Sequence, residues 1–365
     1  MAAYREQRYA EALEELEWLL PRSPESFDVN ELAGLVYVAL SQDNKANPYL
    51  AKGVRLNPRS APARTTLATN LMSLHRTNEA EAQFQKAVEL EPDSYDANHN
   101  LGEYYVQMGR LAESIPYLRH SQQIKPTAYN NGYDLALALV HLGRIDEARL
   151  QLQKLLKLQD TGELHSLLGE VEEKAKNYVA AARQYELSAR LDPSESNIFN
   201  WGAELLLHQT LEPAIAVFKA GLERYPQSIR LYIGLGIAYS VSPTMADQVR
   251  AHLRRFMKLA PRDASAPYYY AMSLWQRDRG QQDPERLAEV ESLLESAIRL
   301  DPQYTDAYLE LGLLYASQHN YGAAIDQYRQ ALKTNSSLAD AHYRLGQALV
   351  RMGDTAHAQQ EFAVF

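Results

Sequence analysis

The sequence predicts an all-helical solenoid of stacked antiparallel helix pairs, and three registers of residues predict it. Small residues recur at Gly34, Ala68, Gly102, Ala136, Gly169, Gly202, Gly236, Ala271, Gly312 and Gly346, 33 to 35 residues apart except for one interval of 41. A second small-residue series runs twelve places later, through Ala46, Ala80, Ser114, Ala148, Ala181, Ala214, Ala324 and Ala358, with Ala12 ahead of it. Prolines close the units at Pro24, Pro58, Pro92, Pro126, Pro193, Pro226, Pro261 and Pro302. Three registers held in step over so many periods mark a repeat architecture.

Each period has the same internal logic. Apolar residues first recur at helical spacing, as in Leu101, Tyr104, Tyr105 and Met108. A polar turn follows (Gly109-Arg110), then a second amphipathic stretch through Ile115, Leu118 and Ile124 to Lys125-Pro126. Proline ends that helix because it lacks an amide donor and restricts the residue before it. Neither helix can hide its apolar stripe alone, so neighbouring units must stack. Residues 1–26 read as a half-repeat, with Arg8 to Pro24 its second helix and no leading one. Full repeats begin at about 27, 61, 95, 129, 162, 195, 229, 264, 305 and 339, giving one continuous array over 1–365. Both ends look uncapped, as expected of a piece of a longer protein or of chains that stack head to tail.

The string Leu101-Gly102-x-x-Tyr105, then Ser114-x-x-x-Leu118-x-x-Ser121 and Pro126, resembles the tetratricopeptide-repeat (TPR) pattern. Ala324-Ile325-x-x-Tyr328-x-x-Ala331 and Ala214-x-x-x-Phe218 repeat it. The resemblance covers essentially the whole chain and implies a right-handed superhelix of helix pairs that binds other proteins. Asn100 and Asn200 match the asparagine ladder of some family members, but Leu32, Thr66, Leu167 and Gly234 break it. A clamp for a terminal carboxylate is likewise absent from the register.

The departures carry their own expectations. Asp160 and Ser336 stand where proline is usual, so those junctions should be looser. Val249 and Val290 replace the small residue of the second helix, and Glu172 takes the place of Tyr37, Tyr105, Tyr239 and Tyr315. Pro116 should lie near the first turn of its helix. The 41-residue interval predicts a lengthened polar loop within 276–287, around Gly280.

Several function classes are excluded. A formal net charge of -9 argues against nucleic acid, which requires clustered cations. There is no cysteine for disulfides, thiolate metal sites or thiol nucleophiles. No run of about 18 apolar residues exists, so no membrane insertion is expected of a chain that reads as soluble. The ten histidines form no metal-ligand spacing, and nucleophile elbow, phosphate loop and dinucleotide fingerprint are all missing. No enzymatic activity, cofactor or metal is expected. Carboxylates such as Glu170, Glu172 and Glu173 read as a charged helix face. Arg250, Arg254 and Lys258 share one face of a second helix, a solvated surface or a contact for an anionic partner.

The remaining class is an interaction scaffold for a protein or peptide, with a self-assembling subunit or the arm of a larger enzyme as alternatives. Places five, nine and twelve of each first helix share one side of the helix, and the resemblance implies that they line a concave groove. In the first five repeats they are mixed, including Glu31, Thr65, Thr69, His99, Glu103, Ser166, Glu170 and Glu173. In the last five they become apolar, and the expected partner-binding residues are Phe199, Leu206, Ile233, Ile237, Tyr268, Met272, Trp275, Leu309, Leu313 and Tyr343. Tyr268, Trp275 and Tyr343 are the expected anchors.

Overall fold

The computed structural model of the chain describes residues 2–241, 246–278 and 283–364. Helix is the only regular structure among them, and its contacts divide into two compact units, Met1–Ala181 and Ala182–Phe365. The first unit opens with α1 (Ala2–Arg5) and α2 (Tyr9–Leu19). Four pairs follow: α3 (Phe27–Ala39) with α4 (Asp43–Leu56), α5 (Ala61–Ser73) with α6 (Thr77–Leu90), α7 (Tyr95–Gln107) with α8 (Leu111–Ile124), and α9 (Tyr129–His141) with α10 (Ile145–Leu156). Then come α11 (Gly162–Lys174) and α12 (Tyr178–Leu191), within which the division falls. The second unit pairs α13 (Glu195–Leu207) with α14 (Leu211–Arg224) and α15 (Ile229–Val241) with α16 (Ala246–Leu259). It continues with α17 (Ser265–Asp278) and α18 (Pro284–Leu300), α19 (Thr305–Ser317) and α20 (Tyr321–Thr334), and α21 (Ala339–Arg351) and α22 (Thr355–Val364).

Local chemistry sets these boundaries. Ser26, Ser60, Ser94 and Ser194 sit just before first helices, and each hydroxyl accepts from the amide three residues on, at 3.2 to 3.4 Å. The second helices α4, α6 and α8 stop at Asn57-Pro58, Glu91-Pro92 and Lys125-Pro126, where the residue before proline leaves the helical region. Between the helices of a pair the chain turns through a left-handed residue, Ser41, His75, Gly109 or Gly143 in the first unit.

Packing follows a sixteen-residue rule. Gly34 faces Leu50, Gly102 faces Leu118, Gly202 faces Phe218 and Gly312 faces Tyr328, each glycine on a first helix and its partner on the second. A Cβ at Gly202 would come within 2.6 Å of the Phe218 ring, and a Cβ at Gly234 on the following pair would meet the same ring at 2.6 Å. That side chain is fully buried. The second small-residue series is buried throughout, and Val249 and Val290 are as buried as the alanines.

Consecutive helices from α1 to α11 and from α13 to α22 pack on one another, and first helices also touch: α3 with α5, α5 with α7, α7 with α9 and α9 with α11. The second helices α4, α6, α8 and α10 make no comparable mutual contact. First helices therefore form the crowded inner layer of the first unit. In the second unit α13, α15 and α17 touch in the same way, as do α19 and α21.

Several expectations are corrected. The leading half-repeat has a short helix, α1, with Ala3 buried. The stretch 276–287 is helical at both ends, since α17 reaches Asp278 and α18 starts at Pro284, while Gly280 lies outside the described residues. Pro116 is the sixth residue of α8 rather than part of its first turn. It is exposed, as is Ala112, whose carbonyl loses a donor, so water can satisfy that group. At the two junctions without proline, His165 Nε2 lies 2.8 Å from Asp160 Oδ1 and His342 Nε2 lies 3.0 Å from the Ser336 carbonyl, and Asn30 and Asn98 make similar bonds to the Pro24 and Pro92 carbonyls.

Glu172 is not part of a charged surface. It is 7% exposed and accepts from Arg149 Nε at 2.6 Å. At the equivalent junctions a glutamate stands on the second helix and a tyrosine on the next first helix: Tyr105 donates to Glu81 at 3.1 Å and Tyr315 to Glu291 at 2.7 Å. At α10–α11 donor and acceptor have changed places.

Two stability measurements follow. Gly202→Leu is expected to cost roughly 2–4 kcal/mol by overpacking Phe218; an unchanged denaturation midpoint would refute the sixteen-residue rule. Glu172→Tyr alone is expected to cost about 2 kcal/mol by leaving Arg149 without its buried partner. Adding Arg149→Glu should recover most of that loss, and a double variant no better than the single one would count against the exchanged pair.

Candidate functional site

The ten expected partner-binding residues all lie on first helices of the second unit, but at two depths. Phe199 and Leu206 on α13, Ile233 on α15, Leu309 and Leu313 on α19 and Tyr343 on α21 are partly exposed, and Ile237 on α15 is 38% exposed. Tyr268, Met272 and Trp275 on α17 are only 8%, 2% and 4% exposed. The anchors expected at Tyr268 and Trp275 are core residues. The cause is visible in α17 itself, where Tyr268-Tyr269-Tyr270 and Leu274-Trp275 put apolar groups on every side, the pattern of a helix enclosed all round. α15, α16 and α18 all pack against it. The Tyr268 ring meets Tyr269 at 5.2 Å and Tyr304 at 5.1 Å, edge to face. Burial pushes the Tyr268 phenol well above its ordinary range, helped by Glu310 and Asp306.

The accessible residues form two patches separated along the chain by α17. One joins α13 and α15, with Phe199 packed at 6.1 Å on Phe218 and exposed Leu207 at the end of α13. The other joins α19 and α21, where Tyr343 lies 5.9 Å from Phe362. Outside the inner layer, the cationic row on α16 is partly engaged. Arg250 Nη2 approaches the Ser273 carbonyl at 3.4 Å, and Arg254 donates to the Tyr270 hydroxyl at 2.9 Å, so both tie α16 to α17.

The inner layer of the first unit differs in charge. At places two, five, six, nine and twelve of its five first helices stand Asp28, Glu31, Asp96, Glu103, Asp134, Glu163, Glu170 and Glu173, with no lysine or arginine among those places. Sequence reasoning saw part of this row but missed Asp134, because it examined fewer places on each helix. Burial raises the Glu31 carboxyl, with Asp28 adding repulsion. Asp134 is pushed up to about 6 by burial and by Glu103, against the opposing influence of His99. Burial likewise raises the Tyr133 phenol, with Glu163 next to it. Among the described residues no group of three or more histidines and carboxylates could hold a metal ion, and no helix is long and apolar enough to cross a membrane.

A carboxyl raised in the folded state binds its proton more tightly there than in the unfolded chain. The resulting stability is present at low pH and is lost as pH rises from about 4 through 6. Asp134→Asn should therefore raise the melting midpoint at pH 7.5 and leave it nearly unchanged at pH 4. Equal shifts at both values would show that charge is not the cause.

Comparison with known proteins gives the same repeat. A profile described as tetratricopeptide repeat matches residues 65–129 and 133–196, and one described as TPR repeat matches 314–353. A 69-residue stretch is 35% identical to the tetratricopeptide repeat and J domain-containing co-chaperone DNJ1 of Cryptococcus neoformans var. grubii, covering 19% of this chain and 13% of that protein. Among solved structures the chain is similar to YrrB, a TPR protein with an unusual peptide-binding site, at 15% identity over 50% of this chain and 94% of that one, with a TM-score of 0.46. It is also similar to the APC/C hetero-tetramer Cut9–Hcn1, at 12% identity over all of this chain and 92% of that one, with a TM-score of 0.46. The profiles match within both units and the same helix pair recurs between the matches, so the chain carries tetratricopeptide repeats.

Proposed function

We propose that the chain is a protein-interaction scaffold whose second unit holds a segment of a partner protein against its inner layer. The observation that carries this reading is the partial exposure of Phe199, Leu206, Ile233 and Ile237 on α13 and α15, with Leu207 63% exposed at the end of α13. Leu207 and Ile237 stand in water on neighbouring first helices, and contiguous exposed apolar surface marks contacts. Leu309, Leu313 and Tyr343 form a second contact patch in this reading. Tyr268, Met272 and Trp275 contribute from behind, as the packed wall that fixes α15 and α17. The tetratricopeptide repeats and the local similarity to a co-chaperone support an interaction role; the short span of that match carries no partner across.

Photocrosslinking tests the surface. A benzophenone side chain at position 206 or 237 should capture the same protein in the native cell, and one on the outer helix at position 258 should not. Ile237→Glu should then weaken the reconstituted complex at least tenfold with an unchanged melting midpoint. Equal capture from the outer position, or a complex indifferent to Ile237→Glu, would remove the inner layer from the function.

A further inference from the structure

The patch between α13 and α15 is apolar, but one charge stands in it. Arg230, the second residue of α15, lays its guanidinium 4.0 Å from the centroid of the Phe199 ring and donates from Nη1 to Ser196 Oγ at 3.3 Å. It is exposed, its hydrogen bond goes to a hydroxyl, and no carboxylate pairs with it among the described residues. The nearby acid on α13, Glu195, accepts instead from Ser228 Oγ at 2.6 Å. No inward place of α13, α15 or α17 holds a carboxylate, in a chain of 46 acidic residues, and Arg230 is the single charged side chain among those places.

A guanidinium stacked on an aromatic face is held in one plane, and most of its rigid fork of five donors stays free. Held this way beside an aliphatic surface, it matches a planar acceptor that arrives together with apolar side chains. A lone phosphate or a lipid headgroup would leave Leu206, Ile233 and Ile237 uncovered. We infer that the α13–α15 patch selects a protein segment that carries an aspartate or glutamate next to its aliphatic contact residues, with Arg230 as the specificity-determining residue. This inference rests on the inner-layer reading above and narrows it to acidic amphipathic partners.

Three synthetic peptides test it. They share leucines at i, i+3, i+4 and i+7 and differ at one flanking place, occupied by Glu, Gln or Lys. The intact chain should bind the Glu peptide about fivefold more tightly than the Gln peptide and the Lys peptide least, with the difference collapsing at about 0.5 M salt. Arg230→Gln should abolish the preference and keep the Gln-peptide affinity, and Arg230→Glu should put the Lys peptide first. Thermal melts would confirm that both variants fold. If all three peptides bind equally and Ile233→Ser with Ile237→Ser abolishes all binding, the apolar surface stands and the acidic preference falls. If none of the peptides binds, both readings fall.

Discussion

Where the first helix carries Gly34, Gly102, Gly202 or Gly312, its close approach to a large side chain sixteen residues later sets how the two helices of the pair lie together. It fixes the distance between the two helices of a pair, and hence the direction in which the second helix carries the chain to the next unit. Where the ring is Phe218, the following pair is seated on the same side chain through Gly234. One residue then governs both the spacing within a pair and the spacing to its neighbour. At Gly202 and Gly234 the absence of a side chain is a volume constraint, because a Cβ at either place would come within 2.6 Å of the Phe218 ring in a closely packed interior.

From that spacing comes the layering. First helices in mutual contact line an inner layer, and where no other helix covers that side its chemistry is free to vary. The two units use this freedom differently. The first carries a row of carboxylates, of which Glu31 and Asp134 are raised by burial and by their neighbours. The second carries apolar residues and, on α15, a stacked guanidinium. One backbone solution therefore supports surfaces of unlike character, which is how a single fold serves many partners.

The helical periods, the small-residue registers and the closing prolines were legible because each is a local signal repeated many times. Depth was not. A helical wheel states which way Ile237 and Trp275 point on their own helices, but not whether another helix covers that side. The one is 38% exposed and the other 4%. The aromatic run Tyr268-Tyr269-Tyr270 could have signalled the difference, since no single packing stripe holds three consecutive residues. Glu172 was misread for a related reason. Its partner Arg149 lies 23 residues away, and a buried ion pair leaves no trace in the periodicity of either helix.

An array of repeats built on one register faces a hazard that a globular domain does not: a repeat can dock against the wrong neighbour while folding. The exchanged pair at Arg149 and Glu172 supplies a check on order. Slipped by whole repeats, α11 would bring Glu172 against Glu81 of α6, two like charges in a desolvated seam. Docking α7 on α10 would set Tyr105 beside Arg149 and leave that guanidinium without a carboxylate. Alphabets with one reversed letter are easier to keep in sequence, and this junction gives the folding chain a way to tell its middle from its beginning.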